Sequence, residues 1–303
     1  MKIGFFADLH GTNETPKCRL DSYVETQRKK FLQMLDIFDL NGCQLLINAG
    51  DFFDSPKVPY KTSNWYLKTL RNKWCGTPIL SVAGQHDQIN HTMKLENTPY
   101  STMISAGVFE HLDNEPGMFV DSVSGKEIHI YGRSWGEPVP EIMDKSKFNI
   151  LVIHEMIVQE KLWTGQKNPI YATQFIKDHP FNLIICGDNH TPFIERYRSR
   201  VLVMCGSVTR KVVSQHDYSP SVYVFDTNEL KLTTVPLKIK KDAVNLEEHK
   251  DEKKKKSDLE RFVALLDKKE ICKDFVSTVE EEIRRLKDKA VQSVATDILN
   301  SVL

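Results

Sequence analysis

The sequence predicts an α/β fold: a mixed sheet, or a pair of sheets, with helices outside, followed by a C-terminal helical extension. Three observations predict it. Five short apolar runs, each of strand length, stop at an Asp or a His. Segments of helical periodicity alternate with the first three, the pattern of βαβ units and hence of a parallel sheet. Near Lys238 the composition turns charged, and amphipathic periodicity follows.

In chain order, Lys2 to Ala7 reads as a strand and runs into Asp8-Leu9-His10. Residues 11–20 are a polar loop. Ser22 to Asn41 has helical spacing, with Val24, Phe31, Leu32, Leu35 and Phe38 on one face. Leu45 to Ala49 is the next strand, cut off at Gly50-Asp51 and followed by Phe52-Phe53-Asp54. Thr62 to Asn72 is a second helix, leading to the strand Pro78 to Ala83 and then Gly84-Gln85-His86-Asp87. Phe119 to Val123 and Ile128 to Gly132 form a hairpin around Ser124-Gly125-Lys126. The strand Phe148 to Ile153 ends at His154. A helical stretch, Thr173 to Lys177, precedes the strand Phe181 to Cys186, which ends at Gly187-Asp188-Asn189-His190. Val201 to Met204, Ser221 to Phe225 and Leu230 to Pro236 read as a meander with a turn at Asp226-Thr227-Asn228.

This divides the chain into a domain over 1–237, a charged linker over 238–257 and a helical segment over 258–303. Ser257-Asp258-Leu259-Glu260 has capping-box spacing for a short helix carrying Leu259, Phe262, Val263 and Leu266. Phe275, Val279, Ile283, Leu286, Ala290, Val294 and Ile298 then continue as one longer amphipathic stripe. Such a stripe either folds back on the domain or lies in a partner's groove or coiled coil.

The 303 residues balance 41 basic against 41 acidic side chains, so overall charge gives nucleic-acid binding no help. The six cysteines form no CxxC pair, and a reduced, cytoplasmic setting is expected. No run approaches membrane-spanning length, and the opening strand leaves no room for a signal peptide.

Open α/β sheets place ligands at the carboxyl ends of their strands, where Asp8, His10, Asp51, His154, Asp188 and His190 fall. Asp and neutral His without thiolate suit manganese, iron or zinc held for chemistry rather than structure. We read Asp51 as a carboxylate shared between two such ions, a pairing that favours in-line displacement at phosphorus. Three aspartates against two divalent ions leave the centre net positive and able to hold a phosphodiester. His86 is the candidate proton donor to the leaving alkoxide, with Asp87 holding its tautomer. Asp54 is either a turn former or a side chain that orients a ligand. The remaining histidines fall outside the strand-tip pattern and read as surface or turn residues.

Asp8-Leu9-His10, Gly50-Asp51-Phe52-Phe53-Asp54, Gly84-Gln85-His86-Asp87, His154 and Gly187-Asp188-Asn189-His190 resemble the DxH, GDxxD, GNH[DE], isolated His and GHxH signature of calcineurin-like metallophosphoesterases. The resemblance implies a four-layer sandwich of two mixed sheets between helices. It implies one ion on Asp8, His10, Asp51 and His190, and a second on Asp51, Gln85, His154 and Asp188. Two departures fall on the second site: Gln85 replaces an Asn, and Asp188 replaces the first His of GHxH. Within the superfamily the chain is similar to the SbcD and meiotic-recombination-eleven nucleases. That likeness implies manganese, with magnesium a substitute, a DNA substrate, and docking of the C-terminal helices on the coiled coils of an SbcC-like ATPase, with room for a homodimer. A charged stretch stands where that family carries a DNA-capping domain. Lys57, Arg133, Arg210 and Lys211 are the candidate DNA-phosphate contacts. The alternatives are a stand-alone phosphodiesterase or phosphatase for nucleotides or phosphoproteins, and a non-catalytic scaffold that presents helices.

Overall fold

Runs of Ile, Leu, Val and Phe with no polar face require burial on both sides, and the computed structural model provides it by stacking two sheets. It describes residues 1–74, 76–120, 125, 127–162, 166–245, 275–286 and 288–302. In the first sheet β1 (Lys2–Phe6), β2 (Leu45–Ala49), β3 (Ile79–Val82) and β4 (Glu110–His111) run parallel, in register Phe5 to Ile47 and Ile47 to Leu80. Crossovers through α1 (Tyr23–Leu40) and α2 (Tyr60–Lys73) impose that direction. Beyond β1 the sheet continues antiparallel with β13 (Ser221–Asp226) and β14 (Lys231–Pro236).

The second sheet has the order β11 (Phe193–Tyr197), β12 (Arg200–Met204), β10 (Leu183–Asp188), β7 (Phe148–Glu155), β6 (Glu127–Arg133), β5 (Gly117–Val120). Its four central strands are parallel and its edges antiparallel. A two-stranded ribbon, β8 (Ile157–Val158) with β9 (Ile170–Tyr171), lies between β7 and α4 (Ala172–Asp178) in the chain.

The pleat sorts the side chains into layers. Ile3, Phe5, Leu45, Ile47, Leu80 and Val82 meet Ile128, Ile130, Ile150, Val152, Leu183 and Ile185 between the sheets. Phe6, Leu46 and Ile79 face outward under Phe31, Met34, Leu35 and Phe38 of α1 and Tyr66 and Leu70 of α2. Leu151, Ile153 and Ile184 pack on Phe175 and Ile176 of α4. Each large apolar side chain removed from water stabilises the stack by about 1.5–3 kcal/mol. The four-layer arrangement is the one expected.

Several elements differ from the sequence reading. The buried stripe of α1 is Tyr23, Gln27, Lys30, Phe31, Met34, Leu35 and Phe38, with Val24 and Leu32 only half-buried. β12 belongs to the second sheet and pairs with β11, so Val201 to Met204 is not part of a meander with β13 and β14. A further helix, α3 (Pro99–Ser105), starts at Thr98, whose hydroxyl accepts from Ser101 N at 3.1 Å. The turn Ser124-Gly125-Lys126 falls mostly outside the described residues, although β5 and β6 pair as a hairpin.

The charged segment is anchored at its start. Ala243 and Val244 are buried, Asn245 N donates to Cys18 O at 2.7 Å, and Lys30 Nζ donates to Lys238 O at 2.5 Å. The rest of the linker and the helix expected from Ser257 lie outside the described residues. The long stripe is broken: α5 (Phe275–Arg285) and α6 (Lys289–Val302) form a helical pair. Val279 and Ile283 pack on Ala295 and Leu299 beside Leu286, whereas Val294 is 56 % exposed. None of the helices among the described residues is long and apolar enough to cross a membrane.

Candidate metal centre

The parallel strands β1, β2 and β3 of one sheet and β7 and β10 of the other bring their carboxyl ends to one edge of the sandwich. There the backbone turns sharply. Asp8 (φ 51°), His10 (φ 49°), Asp51 (φ 48°) and Asp188 (φ 89°) all adopt positive φ. For residues with a Cβ this strain costs about 1–3 kcal/mol each, and it persists only where surrounding bonds enforce it. Asp8 N donates to Gly50 O at 3.1 Å, His10 N to Asp51 O at 3.0 Å and Gly11 N to Phe52 O at 2.8 Å, lacing the first two tips together. A Cβ on Gly84 would collide with the Asp51 carboxylate, and one on Gly50 with the His154 ring. Only glycine lets these tips close up.

Asp51 is fully buried at the middle. Its Oδ1 accepts from His86 N at 2.9 Å. Its Oδ2 stands 3.4 Å from His154 Nε2, 3.7 Å from His10 Nε2 and 3.9 Å from His86 Nε2. His10 Nε2 and His190 Nε2 are 3.0 Å apart, a spacing suited to two nitrogens sharing one cation. Asp188 N donates to both oxygens of Asp8, at 3.1 and 3.2 Å. The carbonyl of Ala49 accepts from His154 Nδ1 at 2.7 Å, which leaves Nε2 as the lone-pair donor. Gln85 Nε2 donates to Asp188 Oδ1 at 2.9 Å.

Three groups of possible ligands emerge among the described residues: Asp8 with His10 and His190, Asp8 with Asp51 and His154, and His10 with Asp54 and His86; within each, the donor atoms lie within 4.8 Å of one another. Asp51 Oδ2, His154 Nε2 and Gln85 Oε1 are buried without a hydrogen-bond partner among the described residues. Asp51 Oδ2 and His154 Nε2 face each other as an ion pair at 3.4 Å, whereas leaving Gln85 Oε1 without a partner costs about 1–3 kcal/mol. All three are donors of the kind a hard or borderline cation takes, so the residues present fit divalent metal. Burial, then the charges of Asp51 and Asp188, raise Asp8 well above the ordinary carboxylate range, against the pull of His154. Burial likewise would raise Asp51, but His154, His10 and His86 outweigh it and hold its carboxyl low. Burial opposes charge on His154, yet Asp51, Asp8 and Asp188 raise it to about 10. Three crowded carboxylates thus form a trap for positive charge.

The calcineurin-like phosphoesterase superfamily domain matches residues 1–230. The chain is a member of that superfamily. Its fold implies a metal-dependent phosphoester hydrolase, and the Asp/His cluster is where the phosphoesterase would hold its ions. Among solved structures it is similar to the TT1561 protein of Thermus thermophilus, at 12% identity and a TM-score of 0.49, covering 78% of this chain and 99% of that one. It is also similar to an archaeal phosphodiesterase, at 14% identity and a TM-score of 0.41, covering 78% of this chain and 100% of that one. None of the curated proteins compared matches the chain.

The structure brings Asp8, His10, Asp51, His154 and His190 together, with Asp188 beside Asp8 through its backbone N–H and Gln85 joined to the Asp188 carboxylate. Ions held there would supply Lewis acidity at a phosphoryl oxygen and acidify water. His86 is beside Asp51 with its side chain 39% exposed, open to a substrate. Its Nδ1 is 2.9 Å from Asp54 O, not from Asp87. The expected role of Asp87 is corrected: its carboxylate accepts from Phe53 N at 3.0 Å, Gly84 N at 3.1 Å and Phe52 N at 3.2 Å, bracing two strand tips. The imidazole is anchored on the Asp54 carbonyl instead.

Two proposed DNA contacts are also corrected. Arg133 is buried, donating to His154 O at 2.9 Å and pairing with Glu155 at 2.7 Å. Arg210 is buried, donating to the carbonyls of His216 and Lys240. Lys57 is exposed, and Lys211 is partly exposed and paired with Asp54. Asp54 also stands 3.1 Å from His10 Nδ1, so it orients a ligand. Sequence reasoning missed Gln27, whose Nε2 donates to Leu9 O at 2.9 Å and His10 O at 2.8 Å while its Oε1 accepts from Thr12 N at 3.1 Å. A polar residue inside the apolar stripe of α1 was the available signal.

Proposed function

We propose that this phosphoesterase cleaves the phosphodiesters of DNA at a pair of manganese ions, with magnesium as the substitute. We read it as the nuclease subunit of an SbcCD-like repair or recombination complex. The hydrolytic part is carried by the buried trio of Asp51 Oδ2, His154 Nε2 and Gln85 Oε1 at the convergence of the strand tips, none hydrogen-bonded among the described residues. His86 holds its Nε2 toward the reaction side while the Asp54 carbonyl anchors Nδ1, and the protonated ring delivers a proton to the leaving alkoxide. Lys57 and Lys211 remain the candidate phosphate contacts. The partner is an SbcC-like ATPase, supported by the pair α5 and α6: a cluster of five side chains is a small core, and exposed Val294 leaves apolar surface for a coiled coil.

A second reading, a stand-alone phosphodiesterase or phosphatase for nucleotides or phosphoproteins, is favoured by the internal engagement of Arg133 and Arg210, which removes two of the four cations assigned to DNA. A scaffold has no use for buried ligand atoms that lack hydrogen bonds.

The test is a metal screen over linear DNA, hairpin DNA and nucleotide diesters with wild type and Asp51→Asn in parallel. Expected are manganese-dependent cutting of DNA ends, faster with the ATPase, and loss of both activity and bound metal in Asp51→Asn. Deleting 258–303 should spare a simple aryl phosphodiester and abolish co-purification with the ATPase. Cutting of nucleotide diesters alone, indifferent to the ATPase, would establish the second reading instead.

A further inference from the structure

From His190 and His10 of the candidate ligand set a row of rings runs outward past His86 to two rings that the ligand set does not use. His190 and His10 meet edge to face at 4.9 Å between centroids, as do His10 and His86. The row continues from His86 to His91 at 6.2 Å and from His91 to Trp135 at 5.8 Å, with ring planes 67° and 73° apart. His91 is exposed and Trp135 half-buried, so the outer pair opens to solvent.

The segment that carries His91 is held in a costly shape. Asn90 (φ 51°), His91 (φ 54°) and Met93 (φ 59°) all have positive φ. Asn and His visit this region more readily than most residues, but methionine does not. Gln88 enforces the shape from below. Its Oε1 accepts from Met93 N at 2.8 Å, its Nε2 donates to Trp135 O at 2.9 Å, and Ile89 N donates to Lys94 O at 3.0 Å. Trp135 N donates to Ala83 O at 2.9 Å, fixing the indole's own backbone to the β3 tip. Burial does not repay the strain, because His91 is exposed and Met93 is 55% exposed. What the braced loop achieves is a fixed corner of two rings beside the proton donor.

We infer that His91 and Trp135 are the subsite for a nucleobase, or a comparable planar aryl group, attached to the leaving oxygen of the substrate. Every base offers a π-face, and stacking on an aromatic side chain needs no charge from the protein. The side follows from the row: the rings lie beyond His86, which serves the leaving alkoxide. This rests on the diesterase reading above, and it narrows the substrate to diesters with a planar group on that side.

The test uses a dithymidine monophosphate and two analogues that lack the base on the leaving side or on the opposite side. In wild type, losing the leaving-side base should cost roughly tenfold in kcat/KM, mostly through KM. Trp135→Ala should erase that difference. Trp135→Phe should retain it. His91→Asn, which tolerates the positive φ, should weaken it. A preference that survives Trp135→Ala, or that belongs to the opposite base, overturns the proposal. Calorimetric binding of the uncut dinucleotide separates the two readings. If no diester is cleaved but Trp135→Ala still weakens binding about tenfold, the subsite stands and the diesterase reading falls. Equal binding by both proteins removes the subsite whatever the catalysis.

Discussion

The Gln85 side-chain amide donates to the Asp188 carboxylate across 2.9 Å, tying the tip of β3 in one sheet to the tip of β10 in the other. These are the two positions where the chain departs from the motif of its superfamily, and the departures are complementary. The longer side chain reaches the added carboxylate, its N–H occupies one oxygen, and its own Oε1 stays buried and unpartnered among the described residues. The hydrogen bond therefore couples the two side chains at the rim of the cluster.

Gln85→Ala and Asp188→Ala should each lower affinity for divalent metal. The two losses should be non-additive by about 1.5–3 kcal/mol, the range of a hydrogen bond to a charged group. Calorimetric metal titration of wild type, both single variants and the double variant measures the coupling. Simple additivity would show two independent ligands.

His86→Ala should retain the metal content of wild type and reduce turnover by about two to four orders of magnitude. The geometry behind this is an Nδ1 anchored on the Asp54 carbonyl and an Nε2 no closer than 3.9 Å to Asp51. Elemental analysis alongside kinetics decides it: lost metal would make His86 a ligand and not a proton donor.

Asp87→Ala should act on folding before it acts on chemistry. It strands three buried backbone N–H groups at about 1–3 kcal/mol each, enough to consume much of a domain's stability. Denaturant unfolding reads the loss. A change below about 1 kcal/mol would show that water replaces the carboxylate and that the brace is dispensable.

Lys30 gives a pH signature. Burial, then the nearby positive charges of Arg210 and Arg19, lower its pKa from 10.5 to about 8. Below that value the amine is charged in both folded and unfolded chains, and the full cost of burying it is present. Between about 8 and 10.5 the unfolded chain holds more protons than the folded one, so stability rises with pH through that window. Relative to Lys30→Met, wild type should gain stability across this interval and not below it. Parallel curves for the two proteins would show that the amine is solvated in the fold.

The convergence of ligands was legible because parallel strands deliver their carboxyl ends to one edge, so an apolar run ending in Asp or His already states where its side chain goes. Local sequence was less informative where polarity changed meaning. Gln27 and Lys30 sit in the buried stripe of α1, which displaces Val24 and Leu32 from the face that apolarity alone assigns them. Arg133 and Arg210 look like surface cations, yet each satisfies backbone carbonyls inside the fold. In the C-terminal helices, Leu286 continues the three- and four-residue spacing, and nothing like Gly or Pro marks the break after Arg285.

By itself, then, the sequence determined the alternation of strands and helices and the edge on which the Asp and His side chains of the candidate metal cluster gather, because both follow from backbone periodicity. Only the tertiary structure decided the partners of each polar group: that Asp87 braces rather than orients, that Gln85 and Asp188 act together, and that His91 and Trp135 share a corner. Those pairings join residues from different strands and sheets, and a hydrogen bond or ring contact is set by distance in space, which separation along the chain does not encode.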